Sequence, residues 1–349
     1  MKNQNYEINL EKIKSVYIIG IGGISMSAIA RLLYAQGKII YGSDIQYNQE
    51  IAKLVDDNII EFKLNKAPEY VKICDIVIYT SAVSNQNSDI LKAKQLNKPI
   101  ISRANILGLL TNDKKVISIA GTHGKTTTTA LISSALLQAK VDPSIHIGGI
   151  FNNLNSNVYL GKSDYFVTEA CEYKDSFLTF NNYIGVILNI RPDHLDYFKT
   201  IDNELSSFKK FAENTTNTLI INNDDNLAST INASCKKLTF SVEKEGDLTA
   251  KNIKMDKFGL YSFDIYEINK KIGRVKLSFY GKHNISNVLA CCGVLKALNI
   301  PFKYLKKGIK NYKGVQRRFE IIKKSRKKMI IHDYAHHPHE IKMVLNICK

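Results

Sequence analysis

The sequence predicts an α/β protein in which parallel sheets are covered by helices, and three patterns point there. Short β-branched runs alternate with amphipathic stretches of helical period, which is how buried parallel strands and their covering helices read. A glycine-rich turn stands between strand and helix twice, at Gly20-Ile21-Gly22-Gly23 and at Gly121-Thr122-His123-Gly124. The 349 residues, 44% hydrophobic and 23% charged, suffice for two or three domains, each with its own core.

Ser15 to Ile19 reads as the first strand, and Ile24 to Gln36 as the helix after its turn. Strands at Lys38 to Tyr41 and Asp75 to Thr80, with a helix at Asp89 to Leu96, continue the alternation. They define an N-terminal Rossmann-like parallel-sheet domain over residues 1–110. A second unit opens with the strand Lys115 to Ala120 and the helix Thr126 to Gln138. Strands at Tyr165 to Glu169, Val186 to Ile190 and Thr218 to Asn222 follow, with a helix near Ile201 to Glu213. From Lys236 to Tyr280 short alternating strands without helical period predict an antiparallel edge patch, and a helix resumes at Asn284 to Leu298. This central, P-loop ATPase-type α/β domain spans 111–318. Strands at Phe319 to Ile322 and Met329 to His332, then a helix from His337, read as the start of a third α/β domain over 319–349.

Lys and Arg exceed Asp and Glu by 49 to 32, a formal charge of +17 that favours anionic partners. The lysines are scattered and no basic run is interleaved with stacking aromatics, which argues against nucleic acid. Six cysteines without a C-x-x-C pair predict reduced thiols and neither a disulfide frame nor a zinc finger. The N-terminus lacks the apolar core of a signal peptide, and the uncharged apolar stretch Val16 to Ala30 is too short to span a bilayer. The expectation is a cytoplasmic protein with no membrane insertion.

The strongest chemical signal is Gly121-Thr122-His123-Gly124-Lys125-Thr126 between strand and helix. Glycines let backbone N–H groups turn inward, the helix N-terminus adds positive potential, and Lys125 brings a full charge to outer phosphates. Thr126, read as first in the helix, can place its hydroxyl on Mg²⁺. The general P-loop has four residues between its glycines and this loop has two, so the match is to the physics and not to the strict pattern. Glu169 ends one strand and His194 follows another, and both strand ends open on the same sheet edge, where a carboxylate and an imidazole complete a metal shell or steer a nucleophile. Alone, each also reads as a structural residue.

The turn at Gly22 and Gly23 lacks the third glycine of the dinucleotide fingerprint, Ser25 standing in its place. It still offers a diphosphate site at a helix N-terminus, with Asp44 positioned for a ribose hydroxyl; tight strand-to-helix packing is the alternative. Asn284 and Asn287 can hydrogen-bond an adenine edge, or Asn284 can cap its helix. Arg317 and Arg318 are candidates for charge stabilisation on a transferring phosphoryl group.

The ordered motifs GIGGISMSAIARLL, TSAV, GTHGKTTTT, EACEYKDSFL, DHLDYF, GKHNISNVLA, GVQRRFE and HDYAHHPHEI resemble the Mur ligase family, from about residue 14 to the end of the chain. Within that family they are most similar to the members that act on UDP-N-acetylmuramate and L-alanine. The resemblance implies ATP-dependent ligation of L-alanine to the lactyl carboxylate through an acyl phosphate, in peptidoglycan precursor synthesis. The alternatives are a ligase joining murein tripeptide to the same nucleotide sugar, or a non-catalytic remnant that only binds nucleotide. The implied cofactors are ATP and Mg²⁺. Gly121, Thr122, His123, Gly124, Lys125, Thr126 and Thr127 would hold the nucleotide phosphates, with Asn284 and Asn287 at adenine. Thr126, Glu169 and His194 would form the metal site, and Lys125, His194 and Arg318 the catalytic set. Gly22, Gly23, Asp44 and Ser81 fall in UDP-sugar segments, and Tyr334 and His336 face the amino acid. His332 departs from the family, which usually has an acid before Asp333-Tyr334. Family members continue for a further stretch beyond Lys349, so the expectation is a third domain mostly absent and weak ligation by these residues alone.

Overall fold

The structure of the protein, a computed structural model, describes residues 8–325, 328–336 and 338–348. The expected helix start at His337 lies outside the described residues. The chain divides into two compact units, Met1–Asn112 and Asp113–Lys349.

The first unit alternates β1 (Ser15–Ile19), α1 (Ile24–Ala35), β2 (Ile39–Asp44), α2 (Gln49–Asp56), β3 (Ile60–Leu64), α3 (Pro68–Ile73), β4 (Ile76–Tyr79), α4 (Ser88–Gln95), β5 (Ile100–Ser102) and α5 (Arg103–Leu110). Its sheet runs β3-β2-β1-β4-β5, every pair parallel. The middle strand β1 is buried along its whole length. Its Tyr17 hydroxyl is satisfied internally, 2.6 Å from Ser43 Oγ and donating to Asp89 at 2.7 Å. The Ala67 N–H donates to the same carboxylate, so the buried Asp89 is hydrogen-bonded within the domain. Asn48, Asn87 and Ser102 accept first-turn N–H groups and set the starts of α2, α4 and α5. The edge strand β3 carries Glu61 and Lys63 and has no buried residue, which hides it from an apolar pattern search.

The second unit holds β6 (Lys115–Ala120), α6 (Lys125–Gln138), β7 (Ser144–Phe151), β8 (Ser156–Tyr159), β9 (Tyr165–Glu169), β10 (Asn182–Ile187), α7 (Leu195–Phe198), α8 (Ile201–Glu213), β11 (Thr215–Asn222), β12 (Lys236–Ser241), β13 (Leu248–Met255), β14 (Tyr261–Glu267), β15 (Lys270–Lys276), α9 (Asn284–Ala297), α10 (Lys303–Asn311), β16 (Glu320–Lys324), β17 (Met329–His332) and α11 (Pro338–Cys348). One sheet has the order β15-β14-β13-β12-β11-β10-β6-β9-β7-β8. Neighbours from β13 through β7 are parallel, and β14, β15 and β8 add antiparallel edges. The chain leaves β6 toward β7 and β9 on one side and returns through β10 on the other. The carboxyl end of β6 is therefore a topological switch point, where open α/β sheets form their crevice.

One expectation is corrected. The antiparallel patch starts later than residue 236: β12 extends the parallel run, with Leu238 and Phe240 in the same core as α9. The strands expected to open a third α/β unit pair as an antiparallel hairpin, Glu320 opposite His332 and Ile321 opposite Ile331. Such a hairpin needs no crossover helix between its strands, and α11 follows it.

Small residues let the helices over this sheet approach closely. α6 buries Ala130, Ser133, Ser134 and Ala135, and a Cβ added at Gly308 of α10 would lie 2.7 Å from the Ala135 Cα. Among the described residues no helix is long and apolar enough to cross a membrane.

Candidate active site

β6 ends at Ala120 and the chain enters α6 through Gly121 (φ +133°) and Gly124 (φ +86°), both in the left-handed region that glycine tolerates. Space demands glycine as well: an added Cβ would lie 3.0 Å from the Asn189 backbone at Gly121 and 2.9 Å from Asn287 Oδ1 at Gly124. Asn189, just beyond β10, braces the loop from below. Its side chain accepts the His123 N–H at 2.9 Å and donates to the His123 carbonyl at 3.0 Å, while its own carbonyl accepts the Thr122 N–H at 3.1 Å. The helix begins at Lys125, one residue before the expected start, with Gly124 as an N-cap that offers no side chain. The N–H groups and positive dipole end of α6 thus face the crevice.

Five side chains meet at this helix start. Lys125 pairs with Glu172 at 3.0 Å and donates to the Thr122 carbonyl at 3.2 Å. Burial works against its charge, but Glu172, Cys171 and Glu169 together more than offset this and the lysine pKa lies above its ordinary value. Thr126 Oγ1 donates to Glu169 Oε2 at 3.1 Å, and Arg318 Nη2 lies 3.3 Å from the same hydroxyl. Glu169 also accepts the Gly148 N–H at 2.6 Å. Burial raises its pKa, and this N–H, Arg318 and Lys125 only partly reverse the rise. A hydroxyl and a carboxylate oxygen held side by side fit a hard, oxygen-preferring cation.

His194, the left-handed N-cap of the short α7 (φ +50°), stands on the other side of Glu172. Its Nε2 is 4.0 Å from Glu172 Oε1 and 3.8 Å from Asp193 Oδ2, and its ring lies 4.6 Å from that of Tyr173. Among the described residues, Glu172, Asp193 and His194 form the group whose ligand atoms come within 4.8 Å of one another. Glu169 instead sits with Thr126. The sequence reading passed over Glu172, the second acid of EACEYKDSF, and Asn189; three-residue spacing from Glu169 was the available signal for the first. Behind the cluster Glu204 is fully buried with Oε1 lacking a hydrogen-bond partner, and burial pushes its pKa up to about 7.

Asn284 and Asn287 are buried in the first turn of α9. Asn284 donates to the Tyr280 carbonyl at 2.6 Å and accepts from Asn287 at 2.8 Å, so it does not act as a helix cap. They line a cavity of about 570 Å³ together with the loop from Thr122 to Thr127, Glu169, His194, Arg318, Tyr334 and His336. Arg318 lies over the Tyr334 ring, 5.5 Å from its centroid, and the His336 ring is 5.1 Å from that of Tyr334. Left-handed backbone at Arg317 and Phe319 (φ +61° and +45°) flanks Arg318. Size, loop geometry and charge all suit a nucleoside triphosphate.

In the first unit Gly23 is the N-cap of α1 and the Gly22 N–H donates to Asp44 Oδ2 at 2.9 Å. Asp44 Oδ1 takes the Ile45 N–H at 2.7 Å, so this carboxylate organises the turn. Ser81 is exposed in the turn after β4.

Comparison with known proteins agrees with this architecture. Residues 15–115 match the model of the Mur ligase family catalytic domain, and residues 119–295 that of the Mur ligase middle domain. The UDP-N-acetylmuramate--L-alanine ligase of Caldanaerobacter subterraneus subsp. tengcongensis is 44% identical over 98% of this chain and 75% of its own length. The ligase of the same name from Clostridium kluyveri is 43% identical over 97% of this chain and 75% of its own length. The crystal structure of the UDP-N-acetylmuramate-alanine ligase of Thermotoga maritima superposes with a TM-score of 0.87 at 30% identity, covering 97% of this chain and 77% of that one. A ligase structure from Neisseria meningitides, 23% identical with a TM-score of 0.79 over 87% of this chain and 100% of that one, shares the fold. With both domain models matched in order and relatives above 40% identity, this chain belongs to the Mur ligase family.

Proposed function

We propose that the protein joins L-alanine to the lactyl carboxylate of UDP-N-acetylmuramate at the expense of ATP, a step in peptidoglycan precursor synthesis. The observation that carries the chemistry is the meeting of Lys125, the Thr126–Glu169 oxygen pair and Arg318 at the N-terminus of α6. The names of the relatives support the choice of substrates.

A carboxylate resists an amine because oxide is an impossible leaving group. Transfer of the γ-phosphoryl group from ATP converts it to an acyl phosphate, and the amine then displaces phosphate. The protein's part is positioning and charge neutralisation. Gly121, Thr122, His123, Gly124 and Thr127 shape the cradle for the β- and γ-phosphates, and Lys125 neutralises them. Arg318 presents its guanidinium to charge that develops on the transferring group. Thr126 and Glu169 supply oxygens suited to Mg²⁺, and His194 borders the same crevice. When bound, that ion neutralises phosphate oxygens. Asn284 and Asn287 read the adenine edge, and Tyr334 and His336 border the approach of the amino acid. In the first unit the Gly22–Gly23 turn, Asp44 and Ser81 hold the UDP-sugar.

The test is phosphate release by the purified protein with ATP, Mg²⁺ and UDP-N-acetylmuramate, L-alanine being omitted or added. Release that requires all components is expected. Release with murein tripeptide but not with L-alanine would reassign the acceptor, and ATP binding without any acceptor-dependent release would leave a nucleotide-binding protein.

A further inference from the structure

The ammonium of Lys125 is fully engaged within its own chain. It donates to the carbonyls of Gly121 and Thr122, four and three residues back, and to the carboxylate of Glu172. An ammonium has three donors, so each is in use and the lysine is curled back over its own loop. Of these partners only Glu172 is charged, and it is wholly buried, with 0% of its side chain exposed against 16% for the lysine. A phosphate oxygen can gain Lys125 only by displacing a partner, and its charged competitor is Glu172.

We propose that Glu172 is the resident counter-ion of the loop lysine, and that an incoming triphosphate takes Lys125 by exchange with this carboxylate. The proposal rests on the reading of residues 121–126 as a triphosphate site. It makes Glu172 a positioning residue that acts through Lys125. Without a counter-ion a buried ammonium would be costly, so Glu172 keeps the lysine charged and ordered before the ligand arrives. The same carboxylate opposes a polyanion at short range. His194, 4.0 Å from Glu172 on its other side, offers the released carboxylate a neighbour with a ring nitrogen. Glu172 thus works against nucleotide affinity, the reverse of an ordinary binding residue.

The experiment is calorimetric titration of the wild-type protein, Glu172→Gln and Glu172→Asp with ATP in the absence of divalent metal. Omitting metal isolates the competition for the lysine from any ion held by the carboxylate. Glu172→Gln is expected to bind ATP about threefold tighter or more, and Glu172→Asp to stay close to wild type because it keeps the charge. Equal or weaker binding by a folded Glu172→Gln overturns the exchange. Absence of ATP binding by wild type and variants alike, with Mg²⁺ restored, overturns the triphosphate reading of the loop instead. Should Glu172→Gln not fold, a wild-type crystal with a non-hydrolysable ATP analogue decides. Separation of Lys125 from Glu172 supports the exchange, and an intact ion pair beside a loaded loop refutes it.

Discussion

Thr126 Oγ1 and Glu169 Oε2 lie 3.1 Å apart, so the first turn of α6 and the last residue of β9 present adjacent oxygens to the crevice. Thr126→Val keeps the shape of the side chain and removes one oxygen. Mg²⁺-dependent turnover should then need about 10- to 100-fold more Mg²⁺ for half-saturation, the size of effect seen when metal-site partners are removed. A titration of rate against Mg²⁺ concentration reads this directly; an unchanged midpoint would remove Thr126 from the metal site.

Gly124 combines a φ of +86° with an Asn287 side chain 2.9 Å from where a Cβ would sit. Gly124→Ala should cost about 1–3 kcal/mol of stability, read as an earlier midpoint in urea. Nucleotide affinity should fall with it, because relief of the clash moves Asn287 and the helix start. Wild-type values of both would show that the loop adapts freely.

Arg318 reaches Thr126 with one guanidinium nitrogen while its carbon lies 5.5 Å from the centroid of the Tyr334 ring. A lysine would keep the charge and lose the planar fork and the stacking. Arg318→Ala is expected to lower kcat about 100-fold and Arg318→Lys to recover only part of the loss. Full recovery by lysine would mean that charge alone matters here.

Asp264, far from the crevice on β14, accepts from Asn252 at 2.9 Å and pairs with Lys271 and Arg274 at 3.0 Å each. The Asn252 hydrogen bond, then the two cations, hold its carboxyl down to about 2. The folded pKa lies below the unfolded value of about 3.9, so the contribution is present above that value and fades as pH falls through the folded one. Asp264→Asn should therefore melt earlier than wild type at neutral pH, and the deficit should narrow below about pH 4. Melting curves across that range check it; a gap independent of pH would point to lost geometry instead of lost charge.

The strand–glycine–helix junctions were legible because local rules govern them: β-branched runs, glycines where φ is positive, and helical period immediately after. Lys125, Thr126 and Glu169 could be placed at one sheet edge from topology alone. Glu172 and Asn189 could not, since their roles depend on contacts made across 47 and 66 residues of chain. The edge strands β3 and β8 escaped because a half-exposed strand has no continuous apolar run, and the antiparallel pairing of the strands at 320–332 was not legible because strand direction is not written in strand composition.

The bracing of the loop by Asn189 has a thermodynamic corollary. Because one asparagine side chain closes a two-way clasp on the His123 peptide groups, the conformational entropy of the cradle is lost when the chain folds and not when an anion enters. Entering phosphates meet donors already arranged, and a change in the segment just beyond β10, which carries that asparagine, would be felt as slack in a loop distant from it in sequence.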